Sequence, residues 1–116
     1  MTRTSRDKQK NTVREHLRLN AYGRENAIGK GSLSFTCGIS ERNIRHVINE
    51  LIDEGYPVCS AVHEPAGYYL PRDRDEAQEA INTLTSYARE LETRKRHLER
   101  NVEQMEIEPA QQKLAI

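Results

Sequence analysis

Five polar side chains that suit contact with nucleic acid lie close together on one predicted helix. They are Arg42, Asn43, Arg45, His46 and Asn49. Arginine pairs well with phosphate or with the edge of guanine, and asparagine pairs with adenine. At about 100° per residue, Arg42, His46 and Asn49 share the outer face of a helix with Asp53, while Asn43 and Arg45 lie at its flanks. The alternative is that these residues are only the solvated face of a core helix. Their types predict a surface on which the arginines bind phosphates while Asn43, His46 and Asn49 read bases.

The helix that carries this surface is predicted from Ser40 to Glu54. Ser40 suits the N-cap because its hydroxyl can accept a hydrogen bond from the first turn, and Ser40 itself would lie near the DNA backbone. Gly55 is placed to end the helix in the left-handed conformation. An apolar stripe with helical period occupies the opposite side. Its members are Ile44, Val47, Ile48, Leu51 and Ile52.

A shorter helix is expected just before it, capped by Ser32 and ended by a turn at Gly38. A short helix, a glycine turn and a longer helix with a polar outer face are typical of a helix-turn-helix motif. Apolar contacts within the pair would come from Leu33, Phe35 and Ile39. Lys30 and the backbone N–H of Ser32 are expected at a DNA phosphate, since helix N-termini accept anions.

Two further segments are expected beside these helices. A first helix runs from about Asp7 or Asn11 to Ala21, followed by a short extended piece around Ile28. After Gly55 the apolar period changes to about two, which predicts a β-hairpin with strands over 56–62 and 67–70. The tip of the hairpin carries Glu64 and has no lysine or arginine.

This order of elements resembles a winged helix-turn-helix domain. The stretch ISERNIRHVINELIDEGY is similar to the recognition helix and the start of the wing, and AGYYLP to the wing's return strand. The resemblance covers about residues 10–72 and is strongest to the N-terminal domain of the biotin operon repressor and to small winged-helix proteins of phages and prophages. It implies sequence-specific binding of duplex DNA through the five residues named above. The wing departs from the family pattern because its tip has no lysine or arginine. The nearest cations, Arg72 and Arg74, lie beyond the tip, and Arg72 is included among the expected DNA contacts.

A long last helix is predicted to begin at Asp73 or Asp75 and to continue to about residue 105. Its apolar positions alternate by four and three, which is the heptad spacing of a coiled coil. The seam consists of Ala77, Ile81, Leu84, Ala88, Leu91, Lys95, Leu98, Val102 and Met105. A helix of about 33 residues is about 50 Å long, so a small domain cannot cover all of it.

A second copy of the chain is the expected occupant of this seam. The dimer contacts would be made by Ile81, Leu84, Ala88, Leu91, Leu98 and Val102. The alternative is that the first half of the helix folds back on the domain and the rest stays solvated.

Composition limits the class of protein. The chain has 116 residues, of which 35% are hydrophobic and 31% charged, which suits one small domain with an extension. It has no apolar run of about 18 residues, so we expect a cytoplasmic protein without a membrane span. Cys37 and Cys59 are the only cysteines, and no spacing suits a metal site. We find no catalytic constellation, so neither an enzyme nor a cofactor is expected.

Charge is unevenly distributed although the formal net charge is zero. Residues 1–46 hold ten Lys/Arg and four Asp/Glu, a balance of +6. Residues 47–116 hold eight Lys/Arg and fourteen Asp/Glu, a balance of −6. Such asymmetry points to a nucleic-acid partner.

The predicted organisation is a flexible basic arm over 1–10, a winged domain over 11–72, a coiled-coil helix over 73–105 and a disordered tail over 106–116. The leading functional prediction is a homodimer that binds double-stranded DNA, as a phage or bacterial transcriptional regulator or DNA-maintenance factor. The alternative is a winged-helix protein-interaction module in a phage replication, packaging or host-takeover complex.

Overall fold

The computed structural model describes residues 5–105, which are mainly helical with one small antiparallel hairpin. The elements in chain order are α1 Ser5–Asn20, α2 Lys30–Cys37, α3 Glu41–Asp53, β1 Cys59–Ala61, β2 Gly67–Tyr69 and α4 Arg74–Gln104. A 3₁₀ turn at Arg24–Asn26 lies between α1 and α2. The mainly helical class, the hairpin and the long last helix are as predicted. The expectations for residues 1–4 and for the tail at 106–116 lie outside the described residues.

The chain divides into two compact units, and the division falls within α4, after Ile81. The first unit has one apolar core, to which α1, α2, α3 and the hairpin all contribute. The buried apolar residues are Val13, Leu17, Ala21, Leu33, Ile39, Ile44, Val47, Ile48, Leu51, Val58, Tyr69 and Leu70. Except for Ile52, the apolar stripe predicted for α3 is therefore the face that packs.

Two residues that the sequence assigned to the core are outside it. Phe35 is 90% exposed and Ile52 is 45% exposed. Phe35 follows the buried Leu33 by two residues, about 200° around the helix, so the two cannot face the same core. Ile52 lies about 100° from Leu51, at the edge of the stripe.

The ends of α3 are set by the residues that the sequence indicated. The Ser40 hydroxyl accepts a hydrogen bond from the Asn43 N–H at 3.2 Å, which confirms the N-cap. At the other end Gly55 has φ +97°, and the Tyr56 N–H donates to the Leu51 carbonyl at 2.9 Å. This pairing is the Schellman arrangement that ends a helix at a left-handed residue.

The starts of α2 and α4 differ in how well they were predicted. α2 begins at Lys30 after an extended Gly29, and the Leu33 N–H already donates to the Gly29 carbonyl at 3.0 Å. The expectation that Ser32 caps α2 is therefore wrong, because Ser32 lies inside its first turn. For α4 the Asp73 carboxylate accepts a hydrogen bond from the Glu76 N–H at 2.9 Å, as expected for an N-cap.

The hairpin is shorter than predicted and is paired on both edges of its return strand. β1 and β2 are antiparallel, with Cys59 opposite Tyr69. On the other edge Ile28 and Tyr68 exchange two backbone hydrogen bonds of 2.8 Å each. The Leu70 N–H also donates to the Ala21 carbonyl at 2.8 Å. The segment between α1 and α2 thus pairs with the return strand at two isolated bridges and anchors the hairpin to the helices.

None of the residues of α4 is buried. The seam residues from Leu84 to Met105 are all exposed in the single chain.

No helix within residues 5–105 is long and apolar enough to cross a membrane. In the same range Cys37 and Cys59 are free thiols, and no cluster of side chains suits a metal ion.

Candidate nucleic-acid interface

The outer face of α3 presents four of the five predicted contact residues to solvent. Arg42, Arg45, His46 and Asn49 are exposed, whereas Asn43 is half-buried at the flank. The opposite face of the helix is the buried stripe, so packing fixes the direction in which these side chains project. Within residues 5–105 neither arginine forms an ion pair. Both guanidinium groups are therefore available to an anionic ligand.

Cations from α1 bind the carboxylates near the C-terminal end of α3. Arg6 Nη1 lies 3.0 Å from Glu50 Oε1. Lys10 Nζ lies 2.5 Å from Glu54 Oε1 and 4.0 Å from Glu50 Oε2. The hydrogen bond with Glu54 raises the pKa of Lys10 above its ordinary value, so the lysine stays charged. These pairs reduce the repulsion that Glu50 and Glu54 would exert on a phosphate.

The prediction of a flexible basic arm over residues 1–10 is wrong for residues 5–10. α1 begins at Ser5, so residues 5–10, which we expected in a flexible segment, form the first turns of a helix. Arg6 and Lys10 are four residues apart and therefore share one face of α1. Their spacing was a usable signal, but nothing in the local sequence identifies their partners on α3.

Lys30 contacts the first turn of α3. Its Nζ lies 3.8 Å from Glu41 Oε1, and both side chains are partly exposed. Exposed pairs of this kind contribute little, so a phosphate that approaches Lys30 has only a weak contact to replace. Ser32 is exposed on α2, and the Ser40 hydroxyl is already used as the helix cap.

Arg72, one of the expected DNA contacts, is paired with a carboxylate. Its guanidinium pairs with Glu25, in the 3₁₀ turn after α1, and lies close to Gly23. Its backbone N–H donates to Glu76 Oε1 at 3.1 Å. Arg72 therefore joins the segment after α1 to the start of α4.

Arg24 is a residue that sequence reasoning missed. Its guanidinium donates to the carbonyls of His63 and Pro65, at 2.8 Å each, in the tip of the hairpin. The same group lies over the Tyr69 ring, 5.9 Å from its centroid. The Arg24 backbone N–H donates to Glu76 Oε1 at 2.9 Å. The tip has no cation of its own, but Arg24 places one against it from a distant part of the sequence.

The charge of the α3 face is graded along the helix. Asp53 lies only about 20° from Arg42 around the axis, but three turns further on, and it is exposed. The half of α3 nearer its N-terminus is therefore the cationic half.

Scans and searches against protein-family models, curated proteins and solved structures found no match for this chain.

Proposed function

We propose that the first unit is a winged helix-turn-helix domain and that α3 is its recognition helix, which enters the major groove of double-stranded DNA. The observation that carries the proposal is the exposed N-terminal half of α3, where Arg42 and Arg45 form no ion pair with any described residue. Support for the fold comes from the Gly38 turn between α2 and α3 and from the antiparallel bridge of Ile28 with Tyr68.

Each of the four exposed contact residues on α3 has a role that follows from its chemistry. Arg42 and Arg45 neutralise phosphates or read guanine, and Asn49 reads adenine through its amide. His46 lies between Arg42 and Asn49 on the face and contacts a base edge. The hairpin is the wing, and Arg24 at its tip provides the cation that the wing sequence itself lacks.

The exposed seam of α4 supports a homodimer. Two copies joined through this helix present two recognition helices, which suits two half-sites in successive major grooves. A protein of this design serves as a transcriptional regulator or a DNA-maintenance factor in a phage or bacterium.

The test begins with selection of bound duplexes from a randomised library, followed by titration of the selected duplex at several salt concentrations. Binding should weaken steeply with salt, since each phosphate contact contributes about 0.9 to the slope of log K against log salt. The double variant Arg42→Ala, Arg45→Ala should bind at least about tenfold more weakly and show a smaller slope. The control is Arg96→Ala, Arg100→Ala, which removes the same charge from exposed positions of α4 outside the seam.

A flat salt dependence, or equal weakening by the α3 and control variants, would overturn the proposal.

A second candidate is a protein-interaction module, which is favoured by the 90% exposure of Phe35 on α2. An exposed phenylalanine suits a protein partner better than a phosphate backbone. That candidate predicts no saturable binding of any selected duplex.

A further inference from the structure

We propose that the second copy lies parallel and in register along α4, as a two-stranded coiled coil in which Arg94 of each copy contacts Glu99 of the other. The inference rests on the homodimer of the proposed function and specifies its orientation, its register and one ion pair.

Two of the four a positions and three of the four d positions in the seam hold the residues that favour a parallel dimer. In heptad notation the d positions hold Leu84, Leu91, Leu98 and Met105, and the a positions hold Ile81, Ala88, Lys95 and Val102. Leucine at d with β-branched residues at a favours two parallel strands. The leucines at d are 61–64% exposed in the single chain, so they remain to be covered by a partner.

Charges beside the seam distinguish the two orientations. Arg94 occupies position g, and Glu92 and Glu99 occupy position e. In a parallel dimer, position g faces position e of the following heptad on the partner, which brings Arg94 to Glu99 twice per dimer. An antiparallel dimer that overlaps the seam from Ile81 to Met105 has its centre near residue 93. It would bring Glu92 to Glu92 and Arg94 to Arg94, which are repulsive pairs.

Lys95 fixes the register. A single lysine at an a position costs stability but selects the alignment in which it is best solvated. In register, both Lys95 side chains occupy one layer and extend toward solvent past Glu99, four residues further along the same helix. A shift by one heptad would place each lysine against an alanine or valine layer and disrupt two layers instead of one.

Orientation can be tested by disulfide formation in the full chain, with Cys37 and Cys59 replaced by alanine. Leu98→Cys should form a covalent dimer when diamide oxidises the two thiols to a disulfide, because position d faces its own copy only in the parallel register. A mixture of Leu84→Cys and Val102→Cys chains should yield disulfide dimers of two identical variants and no disulfide between the two different variants. Mass spectrometry distinguishes these products. Antiparallel chains would give the mixed disulfide and no Leu98→Cys dimer.

The ion pair is tested by sedimentation equilibrium. Arg94→Glu should raise the dimer Kd about tenfold, and the double variant Arg94→Glu, Glu99→Arg should return it to within about threefold. Arg96→Glu, at an outer position, is the control and should leave Kd unchanged.

The outcomes separate this inference from the proposed function. A monomeric full chain would overturn both this inference and the dimer on which it rests. A dimer that gives the mixed disulfide, or that is not restored by the charge swap, would overturn only the parallel arrangement. Loss of DNA binding with an intact parallel dimer would overturn the proposed function alone.

Discussion

Gly67 is a position where one added methyl group should separate the hairpin from the helices. Its φ is +136°, and a Cβ there would lie well under 3.0 Å from the backbone of Ile28. The obstacle is backbone rather than a flexible side chain, so it cannot rotate away. Gly67→Ala must therefore displace the segment that Ile28 shares with Tyr68.

The magnitude follows from what the displacement breaks. The two Ile28–Tyr68 backbone hydrogen bonds contribute about 1 kcal/mol each. The positive φ adds about 1–3 kcal/mol of backbone strain for a residue with a Cβ. Gly67→Ala should thus lower the free energy of unfolding of the first unit by about 3–5 kcal/mol, which is about 15–30 °C in Tm for a unit of this size.

Urea unfolding followed by tyrosine fluorescence is the suitable assay, because Tyr56, Tyr68 and Tyr69 all report on the first unit. Gly55→Ala is the control for φ alone: it has φ +97° but nothing within 4 Å of the added Cβ. It should cost only about 1–2 kcal/mol. If Gly67→Ala costs no more than Gly55→Ala, the close approach to Ile28 is not what requires glycine, and the reasoning is refuted.

Two further predictions concern a helix cap and the thiols. Asp73→Ala should lower the free energy of unfolding by about 1 kcal/mol, because it leaves the Glu76 N–H without its acceptor. Asp73→Ser should retain most of that energy, because a serine hydroxyl can also accept the bond. Urea titration followed by circular dichroism measures both variants, and equal losses would contradict the cap. Burial raises the pKa of the Cys37 and Cys59 thiols, so at pH 8 both should react more slowly with a disulfide reagent in the folded chain than in urea. The two rates should converge as pH rises through the folded-state pKa, and a ratio independent of pH would contradict this cause.

Helix boundaries were predictable where the residues that set them act locally. Ser40, Gly55 and Asp73 each act on backbone groups within about four residues, so their chemistry is readable from sequence alone. The error at Ser32 has the same origin, because Gly29 allowed α2 to begin earlier and moved Ser32 inside the first turn. Phe35 faces outward for a separate reason, because it lies about 200° around α2 from the buried Leu33.

The electrostatic surroundings of α3 were not predictable. Glu50 is more than forty residues from Arg6, and Arg24 is about forty residues from the hairpin tip that it contacts. Periodicity and spacing describe neighbours along one element, and they hold no information on which distant charges packing will bring together. The exposed residues of α3 could be predicted because the buried stripe alone fixes the outer face.

The bridges between the return strand and the segment before α2 have a consequence for the order of folding. α2 and α3 are joined by a turn of three residues, Gly38 to Ser40, whereas the bonds of Ile28 to Tyr68 and of Ala21 to Leu70 close loops of about forty to fifty residues. Contacts of large sequence separation carry a higher entropic cost of closure and form later. We therefore expect the helical pair to form early in the folding of this unit. In a refolding experiment with pulsed deuterium labelling, the amides of Tyr68 and Leu70 gain protection last.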